Sequence, residues 1–562
     1  MLDEFLHEPR IAYFSMEIAL RSDIPTYAGG LGVLAGDTLR SAADLDVPLV
    51  AVSLISRAGY FRQEIDAQGR QVEHEDPWDP RTAARPLSAK IALTLEGREV
   101  WVRGWLYVVQ GLRGYREPVI LLDTDLDENH AEDRNITHYL YGGDEAYRLK
   151  QEMVLGIGGV RMLRALGLEI RQYHLNEGHS AFLALELLRR FTRSREGAGV
   201  GSIYDVPRVR ELCNFTTHTP VEAAQDQFPY ELVDRVMGSM VDAAELRVLA
   251  GDRRLNMTRL ALNLSEYVNG VGPRHAEVSQ LSFPGYRIHA VANGVHPCTW
   301  ASASFVQLYD ERLRGWRHEP ELLSRIDQVP EGALWQAHLA AKRALIERVR
   351  SATGLSLSVD LPILAFARRM TAYKRPDLLF FDVERLQRIA RTLPFQVVIA
   401  GKAHPRDQAG KQLIETLNRY RAQLSASIPI AFLSNYDMQL ALEMVSGADI
   451  WLNTPLPPLE ASGTSGMKAA VNGVPSLSIL DGWWIDGCIE GITGWAIGNS
   501  LPSSAGDDAQ ALYDKLEQTV LPLYRSGPQA WEKLMKGAIG KNAAYFNSHR
   551  MMRRYATEAY IR

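Results

Sequence analysis

Glu460-Ala-Ser-Gly-Thr-Ser-Gly-Met-Lys468 crowds two glycines, four small hydroxyl- or methyl-bearing residues and one lysine into nine positions. It reads as a strand-to-helix elbow. Upstream, the apolar Asp449-Ile-Trp-Leu-Asn-Thr454 ends in Pro455, Pro457 and Pro458; downstream, Met467-Lys-Ala-Ala-Val471 is helical until Asn472-Gly473 stops it. Ser462, Thr464 and Ser465 then lie where a helix start offers unpaired N–H groups and partial positive charge. Lys468, apolar on both sides and without a carboxylate at i±4, is placed to lose its charge and serve as an amine nucleophile.

A phosphate cradle followed by a desolvated lysine is what pyridoxal phosphate requires, because that cofactor needs one group for its phosphate and an amine for its aldehyde. Taken alone, the stretch reads more readily as a glycine-rich turn carrying an ordinary surface lysine. The rest of the chain decides.

A chain of 562 residues exceeds one core's usual size, so two or more domains are expected. With 46% hydrophobic and 23% charged residues the composition is globular, and 62 Lys+Arg against 67 Asp+Glu argues against a nucleic-acid binder. Cys213, Cys298 and Cys488 are scattered without metal or disulfide spacing. The acidic N-terminus does not read as a signal peptide, and no apolar stretch reaches membrane length; the expected location is cytoplasmic.

Ile11-Ala-Tyr-Phe-Ser-Met-Glu17 reads as a buried strand, Tyr27-Ala-Gly-Gly-Leu-Gly32 turns into a helix to about Asp46, and Val47–Ile55 is the next strand: a βαβ pattern. Residues 57–125 read as an antiparallel excursion. Alternation resumes with a helix from Asp144 to about Leu166, strands at 172–175, 214–217 and 288–292, and a charge-rich helix over 333–350. The second half carries five apolar strands, at 363–367, 396–400, 428–433, 450–452 and 476–480. The expected fold class is α/β, two doubly wound Rossmann-like domains facing across a cleft. Residues 1–352 form the N-terminal domain, 353–545 the C-terminal cofactor domain, and 546–562 a helix that crosses back. Ligands in such folds lie beyond the C-terminal strand ends.

Polar motifs cluster at those ends. Ala367-Arg-Arg-Met-Thr-Ala-Tyr-Lys-Arg-Pro376 holds four cations in eight positions, a phosphate clamp unless it is a solvated face. Leu175–His179, Thr216–Pro220, Ala292–Trp300 and Ala400–Pro405 follow other strands. No metal-ligand set emerges. Trp483-Trp484 is either a sugar platform or core.

Together these motifs resemble the α-glucan phosphorylases, the glycogen, starch and maltodextrin phosphorylase family, and a short member of it, with a GT-B type fold. Glu460–Thr464 with Met467-Lys468 is the most specific match; Tyr13–Glu17, Gly29–Gly32, Asn293–Val295, Tyr373–Arg375 and Gly401–Ala403 follow in the family's order. The resemblance implies pyridoxal 5'-phosphate held as a Schiff base by Lys468, with Thr464, Ser465 and Arg368 at its phosphate and Trp300 packing in the pocket. It implies Arg369, Lys374 and the Gly30 amide around inorganic phosphate. Glu460, Ser462, Gly463, Asn293, Tyr373 and His218 fall about the terminal glucose, His218 among the catalytic positions.

The implied reaction is retaining phosphorolysis of an α-1,4-glucan or maltodextrin to α-glucose 1-phosphate, the cofactor's phosphate assisting acid–base transfer. Homo-oligomerisation is left open. A nucleotide-sugar-dependent glucan synthase of the same fold, or a glucan-binding protein without catalysis, are the alternatives. Departures from the long family members stand at Arg368 for lysine, Ser465-Gly466 for Gly-Asn, Glu177 for aspartate and Asp437 for arginine. No N-terminal phosphorylation switch is expected.

Overall fold

A computed structural model describes residues 2–192, 202–219, 225–499 and 503–561 of the chain. Thr216–Pro220 is the one motif that runs past them, at Pro220. The chain divides into two compact units: residues 1–61, 75–292 and 552–562 form one, and 62–74 with 293–551 the other.

The first unit is built on a nine-stranded sheet. Its order is His289–Ala290, Tyr267–Gly270, Cys213–Thr216, Ile170–Asn176, Arg10–Phe14, Leu49–Leu54, Arg116–Asp123, Arg98–Gln110 and Arg85–Leu95. The first seven run parallel; the last two are antiparallel additions. The expected antiparallel excursion therefore extends the parallel sheet rather than forming a separate layer. Its first part, the hairpin of Arg62–Ile65 and Gln71–His74, belongs instead to the second unit. Gln63 and Gln71 hold it there, donating to the Gly401 and Ala403 carbonyls at 2.9 Å each.

The second unit carries six parallel strands in the order Ile430–Leu433, Gln396–Ala400, Ile363–Ala367, Ile450–Asn453, Ser476–Ile479 and Gly494–Ile497. All five expected strands are present. The sixth is four residues opened by a glycine, too short to show a pattern. Chain order along this sheet reverses between Ile363–Ala367 and Ile450–Asn453, the switch point where doubly wound sheets bind ligands. Among the described residues no helix is long and apolar enough to cross a membrane.

The domain boundary expected at 352/353 falls instead after Ala292. Helix Ala333–Thr353, expected over 333–350, runs three residues further and stops at left-handed Gly354. It belongs to the second unit because its buried face carries charge as well as Leu334 and Leu345. Fully buried Lys342 sits 2.8 Å from Asp449 Oδ2, and His338 Nε2 is 2.8 Å from Oδ1. Burial alone would push the Asp449 carboxyl up, but Lys342 and His338 outweigh it and hold it below the usual range. Lys342 also donates to the Leu361 carbonyl and the Tyr524 hydroxyl.

A buried pair broken on one side leaves an uncompensated charge costing about 3–5 kcal/mol, whereas an exposed pair is worth about 0–1 kcal/mol. Lys342→Met is therefore expected to destabilise the protein by about 3 kcal/mol in chemical denaturation, and Arg350→Ala, which breaks an exposed pair with Glu347, by under about 1 kcal/mol. Equal losses would contradict the anchoring role of Lys342.

Candidate active site

Two loops flank the switch point of the second unit and are stitched to each other. Arg368–Arg375 leaves strand Ile363–Ala367, and Thr454 onward leaves strand Ile450–Asn453. The Thr454 hydroxyl donates to the Lys374 and Arg375 carbonyls, at 3.1 and 2.8 Å, and the Leu456 amide donates to the Tyr373 carbonyl at 2.7 Å. Arg375 returns the contact, donating to the Thr454 and Pro455 carbonyls and pairing with Asp508 at 2.8 Å. Its charge is spent on holding the loops together. The four-cation clamp expected from the sequence thus loses one member.

Arg368 and Lys374 are both buried and both grip Glu460. The Arg368 guanidinium lies 2.7 Å from Glu460 Oε2, and the Lys374 ammonium bonds to the same oxygen. Burial pushes Lys374 down to about 7, with the Arg368 charge acting the same way and Glu460 opposing. Burial would raise Glu460, but Arg368 and Lys374 prevail and hold it below the ordinary range. Tyr373, with the Lys374 ammonium 4.5 Å from its ring centre, is raised to about 12 by burial and by Glu460. Arg369 is exposed. The family resemblance implies phosphates at Arg368 and Lys374; here a carboxylate joins them into one net-cationic cluster.

Gly463 shapes the loop between Glu460 and the helix. Its φ is +77°, and a Cβ there would come within 3.1 Å of the Arg368 guanidinium and 3.2 Å of the Glu460 carboxyl carbon. Ser462 beside it is buried, and its hydroxyl has no protein partner; the same holds for the side-chain oxygen of buried Asn293. Buried polar atoms are ordinarily satisfied, so both positions suit a hydroxyl-rich ligand.

Helix Ser465–Val471 begins right after Thr464. Ser465 Oγ accepts from the Trp451 indole at 3.0 Å, fixing the helix on strand Ile450–Asn453. Lys468 is buried, its ammonium 4.2 Å from the centre of the Trp300 ring. Asn472, absent from the sequence-derived site, locks this pair. Its amide donates to the Trp300 and Lys468 carbonyls, and its oxygen accepts from the Ser302 amide at 2.8 Å. An amine against an aromatic face, with hydroxyl residues at the start of its helix, fits a phosphorylated aromatic aldehyde.

Gly30 and His218 lie in the first unit. Gly30 opens helix Gly30–Leu45, with the preceding Ala28 and Gly29 amides donating to Glu17 at 2.6 and 3.0 Å. His218 Nε2 is 2.7 Å from Asn176 Oδ1, and its amide donates to Glu177. Burial, with smaller contributions from neighbouring histidines, lowers its ring to about 3, so it is neutral. Glu177 also accepts from Gly178 and Thr219, bracing two strand ends. The departure at 437 has a local reason: Asp437 caps helix Met438–Gly447 through the Leu440 amide. Trp483 and Trp484 are buried and pack on each other, Trp483 also against Phe546; they are core, not a sugar platform.

The carbohydrate phosphorylase family model matches residues 237–490. A maltodextrin phosphorylase of Thermococcus litoralis is 37% identical, over 98% of this chain and 70% of the relative. The chain belongs to the carbohydrate phosphorylase family. Other family relatives include a glycogen phosphorylase of Mycobacterium tuberculosis, 38% identical over 98% of this chain and 70% of its own length. A glycogen phosphorylase of Aquifex aeolicus is 36% identical, over 99% and 87%. The matched family segment contains both stitched loops and the helix bearing Lys468.

Glu460→Gln would leave Arg368 and Lys374 facing each other in a buried site. The expected result is a stability loss of about 3 kcal/mol and a larger gain in melting temperature on adding inorganic phosphate than the unaltered protein shows. Loss of stability without that added anion response would contradict the charge balance described here.

Proposed function

We propose that this protein is an α-glucan phosphorylase, converting an α-1,4-glucan and inorganic phosphate into α-glucose 1-phosphate and a chain one residue shorter. The observation that carries the reading is the buried Arg368–Glu460–Lys374 cluster, one loop away from the buried Lys468–Trp300 pair. A glycogen synthase reading would leave a sequestered lysine on an aromatic face without purpose.

In this reading Lys468 would hold pyridoxal 5'-phosphate covalently, with Trp300 in the same pocket and Thr464, Ser465 and Arg368 assigned to its phosphate. When bound, the cofactor supplies a phosphate group that supports proton transfer to and from inorganic phosphate. Glu460, Ser462, Gly463, Asn293 and Tyr373 orient the terminal glucose, Ser462 and Asn293 through their unpartnered buried oxygens. Arg369 and Lys374 neutralise inorganic phosphate. For the first unit we assign the Gly30 amide to phosphate and neutral His218 to a sugar hydroxyl.

The bond from glucose C1 to the glycosidic oxygen breaks as inorganic phosphate gives that oxygen its proton; a phosphate oxygen then bonds to C1 on the same face. Cations fixed before the reaction stabilise the oxyanions it concentrates. Lys374, poised near 7, keeps its proton where phosphate adds negative charge, since an anion nearby favours the ammonium.

Phosphate-dependent release of glucose 1-phosphate from a maltodextrin ladder is the expected activity. Arg369→Ala is expected to raise the KM for phosphate by about tenfold and the KM for glucan by less than about twofold. Activity only with a nucleotide sugar would overturn the reading, and equal effects on both KM values would remove Arg369 from the phosphate site.

A further inference from the structure

Strand Ser476–Ile479 lies beside Ile450–Asn453, and the turn that follows it touches Glu460–Ser462 at both ends. Asp481 Oδ2 accepts the Glu460 amide at 2.9 Å, and Oδ1 accepts the Gly482 amide at 2.9 Å. Two residues on, the Trp483 amide donates to the Ser462 carbonyl at 2.8 Å. Between these bonds Gly482 sits at φ +56°, where a Cβ would lie 2.5 Å from the Ser462 carbonyl oxygen and 3.0 Å from Glu460 Cγ.

We propose that Asp481 is a positioning residue of the glucose loop: its buried carboxylate anchors the Glu460 amide and thereby sets where the Glu460 side chain stands between Arg368 and Lys374. The role rests on the phosphorylase reading. A carboxylate is needed because two amide N–H groups converge on one side chain, and only an ionised Asp accepts on both oxygens without offering a donor. The isosteric Asn turns an NH2 toward one of them. Asp481 leaves Glu460 Oε2 to the two cations and hydrogen-bonds to backbone amides, so its hydrogen bonds act on the site through the position of Glu460. Burial, and after it the Glu460 charge against the help of the two amides, raises its carboxyl to about 6, still ionised at neutral pH.

A residue that acts through another shows no separate effect once that other is gone. Asp481→Asn is expected to lower kcat/KM for maltodextrin by about tenfold in the unaltered protein and by less than about twofold in Glu460→Gln. Gly482→Ala, which keeps the carboxylate but crowds the Ser462 carbonyl, is expected to lower kcat/KM in both backgrounds, because Ser462 meets the glucose independently of Glu460. Backbone amide exchange of the holoenzyme peptide containing Glu460 is expected to quicken by about tenfold in Asp481→Asn, with the peptide over strand Gln396–Ala400 unchanged.

Equal losses of kcat/KM from Asp481→Asn in both backgrounds would show a general structural effect and overturn the proposal, as would unchanged exchange at Glu460. Absence of glucose 1-phosphate release by the unaltered protein would refute the phosphorylase reading instead. The exchange measurement then still decides whether Asp481 holds the loop.

Discussion

One carboxylate between two cations organises the second unit. Arg368 and Lys374 emerge from the same strand end and would repel each other in a buried setting; Glu460, eighty-six residues beyond Lys374, lets both stay there. Desolvating three charges is costly unless each is paired and hydrogen-bonded. The surrounding structure meets that demand: Thr454 and Arg375 stitch the two loops, and Asp481 holds the Glu460 backbone. The result is a net positive centre fixed before any ligand arrives, which is the arrangement that anion chemistry exploits.

The switch point explains why the cluster forms at this place. At adjacent strands whose chains continue in opposite directions across the sheet, the two following loops diverge and leave room between them. Arg368–Arg375 fills one side and Thr454–Lys468 the other. The second loop divides along its length: Glu460 to Gly463 carries the carboxylate that meets the cations and the unpartnered Ser462 hydroxyl, while Thr464 to Lys468 forms the start of a short helix tied to Trp451 and Trp300.

Strands were legible where burial is complete, because runs such as Ile363–Ala367 and Gln396–Ala400 hold only residues that a parallel sheet hides on both faces. Tyr267–Gly270 and Gly494–Ile497 escaped, being four residues each with glycine in them. The boundary was misplaced because the partner of Lys342 and His338 is Asp449, more than a hundred residues away, and local pattern carries no trace of such a pairing. Hairpin 62–74 was read with its sequence neighbours for the same reason. At the site, residue types were legible and pairings were not. The basic run announced a charged centre but not that Arg375 would serve Asp508, that Arg369 would be exposed, or that Glu460 would sit between the other two. Asp481-Gly482 gave a turn signal after a strand, yet nothing local ties it to Glu460.

In the proposed reading Lys468 is the amine built for an aldehyde; Lys374, also buried and lowered to about 7, is its natural competitor. Borohydride reduction of the protein saturated with pyridoxal 5'-phosphate, followed by peptide mass mapping, separates them. The account predicts a single cofactor adduct, on the peptide containing Lys468. An adduct on the peptide containing Lys374, or none on either, would contradict it.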